Sequence, residues 1–71
     1  MKTILTSNGW IMFYECKNPC AKMHFNHPDH PGYEVRVRTK SNTFSILYKN
    51  LIIAGPFWQY QLSDKLKEHV K

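Results

Sequence analysis

Residues 33–40 alternate without interruption between uncharged side chains, mostly apolar or aromatic, and charged ones, and this pattern constrains the fold more than any other in the chain. Val35 and Val37 fall on one side of the segment, and Arg36 and Arg38 fall on the other. A period of two is typical of a β-strand with one buried face. The pattern therefore predicts a strand that buries its valines and presents its arginines.

A second strand follows the dipeptide Ser41-Asn42, which we expect to form a two-residue turn. That turn pairs Val37 with Ile46. It also pairs Val35 with Tyr48. A shift of one residue would turn every apolar side chain of the second strand to the other face, so the pattern fixes which face is buried. The valine face is expected to gain Phe44, Ile46 and Tyr48, and the arginine face to hold Lys40, Thr43, Ser45 and Leu47.

The N-terminal third of the chain predicts two further hairpins. Asn8-Gly9 favours a type I′ turn between strands at residues 2–7 and 10–16. A three-residue loop then places Cys16 opposite Cys20. One face of these strands is expected to carry Ile4, Ile11, Phe13, Met23 and Phe25, and the other Trp10, Met12, Tyr14, Cys16, Cys20, Lys22, His24 and Asn26.

The C-terminal third predicts a strand and a helix. Lys49-Asn50 turns the chain into a short strand at residues 51–54, and Gly55-Pro56 is the expected entry to the helix. The helix covers at least residues 61–70, with Ser63 as an alternative N-cap. Its apolar stripe is expected to be Trp58, Leu62, Leu66 and Val70. The fold class is α+β: about five antiparallel strands with one C-terminal helix on the apolar face.

Size and charge limit the possible functions. The 71 residues, 1–71, are expected to form one small domain, and their net charge of +5 favours an anionic partner. No apolar run is long enough to span a bilayer, and the first residues do not resemble a signal peptide. We therefore expect a cytoplasmic protein that does not enter a membrane. Charge alone is also compatible with a role in solubility.

The cysteines and histidines suggest one candidate metal site. Cys16, Cys20, His24 and His27 are zinc-ligand types within a short segment, with His30 as an alternative fourth ligand. Their spacing matches structural zinc sites poorly, and two free thiols in a reducing compartment are the favoured interpretation. We therefore expect no cofactor and no bound metal.

A proline-rich loop is expected at residues 27–32, between His24 and the alternating strand. Residues 24–32, followed by Val35-Arg36-Val37, are similar to the central hairpin of HicA-type mRNA interferase toxins. The chain is not assigned to that family. The similarity serves only to keep a small histidine-dependent ribonuclease as a second alternative function, with no catalytic residue assigned.

The arginine face gives the favoured function. Cations that follow the phosphates and aromatic rings that stack on bases together hold single-stranded nucleic acid. We expect a non-enzymatic binding module that self-associates and contacts RNA or DNA through this face. A protein-binding adaptor or inhibitor is the first alternative. The expected nucleic-acid-binding residues are Lys22, Arg36, Arg38, Lys40, Trp10 and Tyr14.

Overall fold

The computed structural model describes residues 1–70, which form an open five-stranded antiparallel sheet with a helix before it and a helix after it. The elements are α1 (Lys2–Ser7), β1 (Ile11–Cys16), β2 (Lys22–Asn26), β3 (Tyr33–Arg38), β4 (Thr43–Tyr48), β5 (Leu51–Trp58), a 3₁₀ turn (Gln59–Gln61) and α2 (Leu62–His69). The strands lie side by side in chain order. The predicted α+β class is confirmed. Neither helix within residues 1–70 has the length and apolar character needed to cross a membrane.

The core lies on one side of the sheet, which we call the inner face. Both helices contribute to it, through Leu5 of α1 and Leu62 of α2, and Leu66 and Val70 pack at its margin. The stripe predicted for the C-terminal helix is thus confirmed except for Trp58, which is exposed. The buried cluster comprises Leu5, Trp10, Met23, Phe25, Val35, Val37, Phe44, Ile46 and Leu62.

The β3–β4 hairpin buries the predicted face in a different register. Val37 is fully buried and Arg38 is exposed, as predicted. However, Val37 lies opposite Phe44, two residues from the predicted partner, because the connection has four residues (39–42). Thr39 instead donates its N–H to the carbonyl of Ala21 in the preceding loop. A shift of two residues preserves the faces, so Phe44 and Ile46 are buried as predicted. Burial differs from the prediction at two positions: Tyr48 is exposed, and Leu47, which lies opposite Glu34 on the arginine side, is buried.

The first predicted strand is wrong, because residues 2–7 form helix α1. Asn8-Gly9 ends this helix in a Schellman motif: Gly9 N–H donates to the Thr6 carbonyl, and Trp10 N–H donates to the Leu5 carbonyl. Gly9 has a φ of +89°, a value that both the predicted hairpin turn and the observed helix cap favour. Leu5 and Trp10, which bracket the motif, are both buried in the core.

Strand β1 is displaced by a bulge at Phe13. Met12 pairs with Phe25 and packs against the core, whereas Ile11 and Phe13 are exposed, so the predicted faces are wrong in this half of the strand. Cys16 pairs with Lys22, and Cys20 lies in a five-residue loop rather than in a strand. This loop is held by Ala21, whose carbonyl accepts hydrogen bonds from the backbone and the side chain of Thr39.

Gly55-Pro56 lies within β5 and does not open the helix. The register slips between Phe44 and Ile46, where Gly55 and Pro56 pair with no residue of β4, and Phe57 then pairs with Phe44. A Cβ atom at Gly55, whose φ is +108°, would lie 3.0 Å from the Phe44 carbonyl oxygen, so the close approach of the two strands requires glycine. The helix begins only at Leu62.

Candidate nucleic-acid interface

The side of the sheet opposite the core, which we call the outer face, carries the cationic side chains of the central strands. Strand register places Lys22 beside Arg38, and His24 beside Arg36. These residues line a shallow groove of about 200 Å³ that runs from Tyr14 on β1 to Ile52 on β5. Alternation with the buried residues determines this arrangement, because each cation precedes or follows a core residue in its own strand. Two neighbouring rows of cross-strand partners run over the outer face. One row consists of Cys16, Lys22, Arg38, Thr43 and Trp58. The other consists of Tyr14, His24, Arg36 and Ser45.

A single carboxylate partly neutralises this face. Glu34 is mostly buried, accepts a hydrogen bond from Arg36 Nε, and has its Oε2 atom 3.5 Å from His24 Nδ1. Within residues 1–70, Lys22 and Arg38 take part in no ion pair. Their charges are therefore the more available to a bound anion, whereas Arg36 is held in place by Glu34.

Aromatic rings lie at both edges of the outer face. The Tyr14 ring lies 4.7 Å from the His24 ring at an interplanar angle of 30°, and Phe13 meets the same imidazole edge-on at 5.9 Å. At the opposite edge, Trp58 pairs with Thr43 and is 57% exposed. Rings on β1 and β5 therefore flank the cations of β2 and β3.

The electrostatics of the face act on His24. Burial lowers the pKa of this imidazole below its ordinary value of 6.5, and the positive charges of Arg36 and Lys22 lower it further, against the opposing effect of Glu34. The uncharged form is therefore favoured near neutral pH. A bound polyanion would oppose the effect of the cations and favour the protonated form.

Two of the six residues predicted for this interface lie off the sheet surface. Trp10 is 5% exposed and belongs to the core, because the Schellman motif turns it toward the inner face; its assignment to the interface is wrong. Lys40 lies in the loop after β3, and its Nζ donates to the Pro19 carbonyl at 3.0 Å. Lys22, Arg36, Arg38 and Tyr14 share the outer face.

The two thiols lie at one end of the outer face and are not bridged. A hydrogen bond from the Cys20 backbone N–H lowers the pKa of the Cys16 thiol, and a hydrogen bond with that thiol raises the pKa of Cys20. The negative charge of a Cys16 thiolate in turn raises the pKa of Tyr14. Cys16 is thus the more acidic thiol of the pair.

The candidate zinc ligands are not brought together. His27 is fixed elsewhere, because its Nε2 atom lies 2.8 Å from the Asn8 carbonyl and its Nδ1 accepts the Asp29 N–H at 3.0 Å. Both ring nitrogens are therefore occupied. Among residues 1–70, no three side chains of His, Cys, Asp or Glu are close enough to hold a metal ion.

The histidines also separate into two groups. His24 lies on the outer face, whereas His27 and His30 border a second groove of about 390 Å³ beside α2. There His30 stacks against Trp10 with ring centroids 6.4 Å apart. The acid–base pair that a ribonuclease of this kind needs is therefore not formed between His24 and the loop histidines.

Sequence reasoning missed Trp58 and Phe13 as residues of the outer face. Trp58 was assigned to a helix because Gly55-Pro56 resembles a helix entry. The signal that would have placed it is the residue types of the run from Leu51 to Trp58, which includes two isoleucines and two aromatic residues, types that favour a strand. Phe13 reaches the outer face through a bulge, and nothing in the local sequence indicates that bulge.

Comparison with known proteins does not identify the chain. No protein-family model matches it, and the searches of curated proteins and of solved structures found no significant match. The geometry of the outer face is therefore the basis for a functional proposal.

Proposed function

We propose that the chain is a non-enzymatic binding module that binds single-stranded nucleic acid through its outer face and works as a pair of copies. The observation that carries the proposal is the arrangement of Lys22 and Arg38 in one row that ends at Trp58. Cations at this position contact phosphates, and an exposed ring beside them stacks on a base.

The single-stranded form is favoured by the aromatic rings. Tyr14 and Trp58 lie on different edge strands and are both exposed. A ring can stack on a base only when that base is free of its neighbours, as in a single strand, whereas a duplex presents mainly its backbone and groove edges. The net charge of +5 supports an anionic partner of either kind.

Two further features bear on the proposal. The chain has only two cysteines, fewer than most disulfide-stabilised secreted domains, and on that ground we propose a reducing, cytoplasmic location. The exposed apolar side chains of β1 and β5 favour the alternative of a protein-binding adaptor, for which the charges of the outer face would serve solubility.

A salt titration tests the proposal. Binding of a labelled single-stranded RNA, a single-stranded DNA and a duplex DNA is measured by fluorescence anisotropy over a range of salt concentrations. Each phosphate contact contributes about −0.7 to the slope of log affinity against log salt for a single strand and about −0.9 for a duplex. Arg36→Ala/Arg38→Ala should flatten the single-strand slope by up to about 1.4, the value expected if both arginines contact phosphates.

Matched variants separate the outer face from net charge. Lys2→Ala/Lys67→Ala removes the same charge from the two helices and should leave the slope unchanged. Trp58→Ala should weaken binding by about tenfold, whereas Tyr60→Ala, which removes an exposed ring just beyond β5, should not. No binding at low salt, or an equal loss in both double variants, would contradict the proposal and favour the adaptor.

A further inference from the structure

Strand β5 forms one edge of the sheet and presents three exposed aliphatic side chains in succession. Leu51 is 71% exposed, Ile52 is 64% exposed, and Ile53 is 45% exposed. Within residues 1–70, β4 is the only strand that pairs with β5. The outward edge of β5 therefore offers backbone N–H and carbonyl groups that another strand can pair with.

This edge also lacks the charges that usually prevent pairing between proteins. Residues 50–63 contain no charged residue, and this is the longest such stretch in the chain. Edge strands are commonly protected by lysines, inward charges or covering segments. Here the backbone of β5 is irregular at two places, around Gly55 and Pro56 and again at Ile53, which has no partner on β4, so residues 51–54 form a short pairing segment that contains one bulge.

We propose that two copies of the chain pair through residues 51–54 of β5, antiparallel and about a two-fold axis, so that two five-stranded sheets become one. This inference rests on the proposed self-association and names its surface; it does not depend on nucleic-acid binding.

The charge distribution favours a second copy in this position. Each copy carries +5, so two copies repel unless they meet where neither has charge. The edge of β5 is such a place. Antiparallel pairing also separates the two Lys49 side chains, which lie just before β5, to opposite ends of the paired segment, whereas parallel pairing would set them side by side.

Symmetry favours pairing of β5 with itself over pairing with β1, the other edge. Contact between β5 of one copy and β1 of the next would be head-to-tail and would continue without closing. Strand β1 also carries Glu15, whereas β5 has no charged residue. Pairing of β5 with β5 closes at two copies and satisfies both outward edges.

Sedimentation equilibrium tests the inference. The wild-type protein should have twice the mass of one chain at high concentration, and its dimer dissociation constant should fall or stay constant as salt rises, because salt screens the repulsion between copies. Leu51→Lys and Ile53→Lys, each present twice in the symmetric interface, should raise that constant by about tenfold or more. Ile11→Lys adds the same charge at the β1 edge, where Ile11 is 55% exposed, and should have no effect. Circular dichroism establishes that each variant is folded.

The outcomes distinguish this inference from the function proposed above. A single-chain mass at all concentrations overturns both the interface and the self-association, and leaves nucleic-acid binding to its own titration. A dimer that neither β5 variant weakens, or that Ile11→Lys dissociates, overturns the assignment to β5. A dimer that dissociates with rising salt is held by ion pairs and also overturns it.

Discussion

Val37 and Arg38 are neighbours in one strand, yet the first is fully buried and the second is exposed. In the next strand, Ile46 is fully buried and its neighbour Ser45 is half-buried. Both helices pack on the inner face, and within residues 1–70 no helix covers the outer one. Alternate residues of one sheet thus have different roles. Residues on the inner face pack into the core that stabilises the fold, and residues on the outer face form the surface proposed to bind nucleic acid.

This difference between the inner and outer faces explains how several cationic side chains can lie close together on so small a domain. The free energy of unfolding of a chain of 71 residues is small, about 3–5 kcal/mol for a single core of this size. Because the inner face supplies most of the packing, substitutions of exposed side chains on the outer face change charge and shape without removing core contacts. Leu47, which is buried opposite Glu34, is an exception. The two faces should therefore respond differently to mutation.

The largest loss in the free energy of unfolding is expected for substitutions in the core. Phe25→Ala removes a fully buried ring, at a cost of about 3–5 kcal/mol, and should leave the protein largely unfolded at 25 °C. Ile46→Val should cost about 0.5–1.5 kcal/mol and remain measurable by urea denaturation. Ser45→Ala, its neighbour on the outer face, should change the free energy of unfolding by less than about 0.5 kcal/mol. Equal costs at positions 45 and 46 would contradict the division between the faces.

An intermediate loss in the free energy of unfolding is expected for substitution of Gly9, which lies between α1 and β1. A Cβ atom there would lie 2.6 Å from His27 Nε2, and the φ of +89° is unfavourable for any other residue. Gly9→Ala should therefore lower the free energy of unfolding by about 1–2 kcal/mol. In a His27→Ala background the steric conflict is absent, so the same substitution should cost less. Equal costs in the two backgrounds would show that backbone conformation alone requires glycine.

The arrangement of the faces could be predicted from sequence wherever alternation was regular. Val35, Val37, Phe44 and Ile46 were all assigned correctly, because a strand of period two has only two faces and charge marks one of them. For the same reason, the error of two residues in the register of the β3–β4 hairpin did not change the face assigned to these four residues. Thus β2, β3 and β4 and the cations between their core residues followed from local pattern.

The remaining errors arose where a local signal fits two structures. Asn8-Gly9 suits a hairpin turn or a helix end, and the choice is decided by distant contacts: the burial of Leu5 and Trp10 and the contact of His27 with the Asn8 carbonyl. Gly55 likewise suits a helix entry or a bulge. Its role is decided by the approach of β4, which sequence spacing does not reveal.

The smallest change in the free energy of unfolding is expected for substitution of His24. Because His24 lies on the outer face, this change can be recognised by its dependence on pH. Because burial lowers the pKa of His24 in the folded protein, its contribution to stability is fully present above the unfolded value of about 6.5 and is lost as pH falls through that value toward the folded pKa. Stability of the wild-type protein should therefore fall as pH drops below about 6.5, and His24→Gln should reduce that fall by less than the cost of Gly9→Ala.

Nucleic-acid affinity should depend on pH in the opposite sense. A phosphate near Lys22 and Arg36 offsets their effect on His24 and favours the protonated imidazole, so affinity should rise as pH falls. Urea denaturation and anisotropy, each measured across this pH range, should show both dependences diminished in His24→Gln. His30→Gln, in the groove beside α2, is the control for histidine titration elsewhere and should leave the pH dependence of binding unchanged. If His24→Gln and the wild-type protein gave the same pH dependence of affinity, bound phosphates would not lie beside His24, and the interface would have to be confined to the row from Lys22 to Trp58.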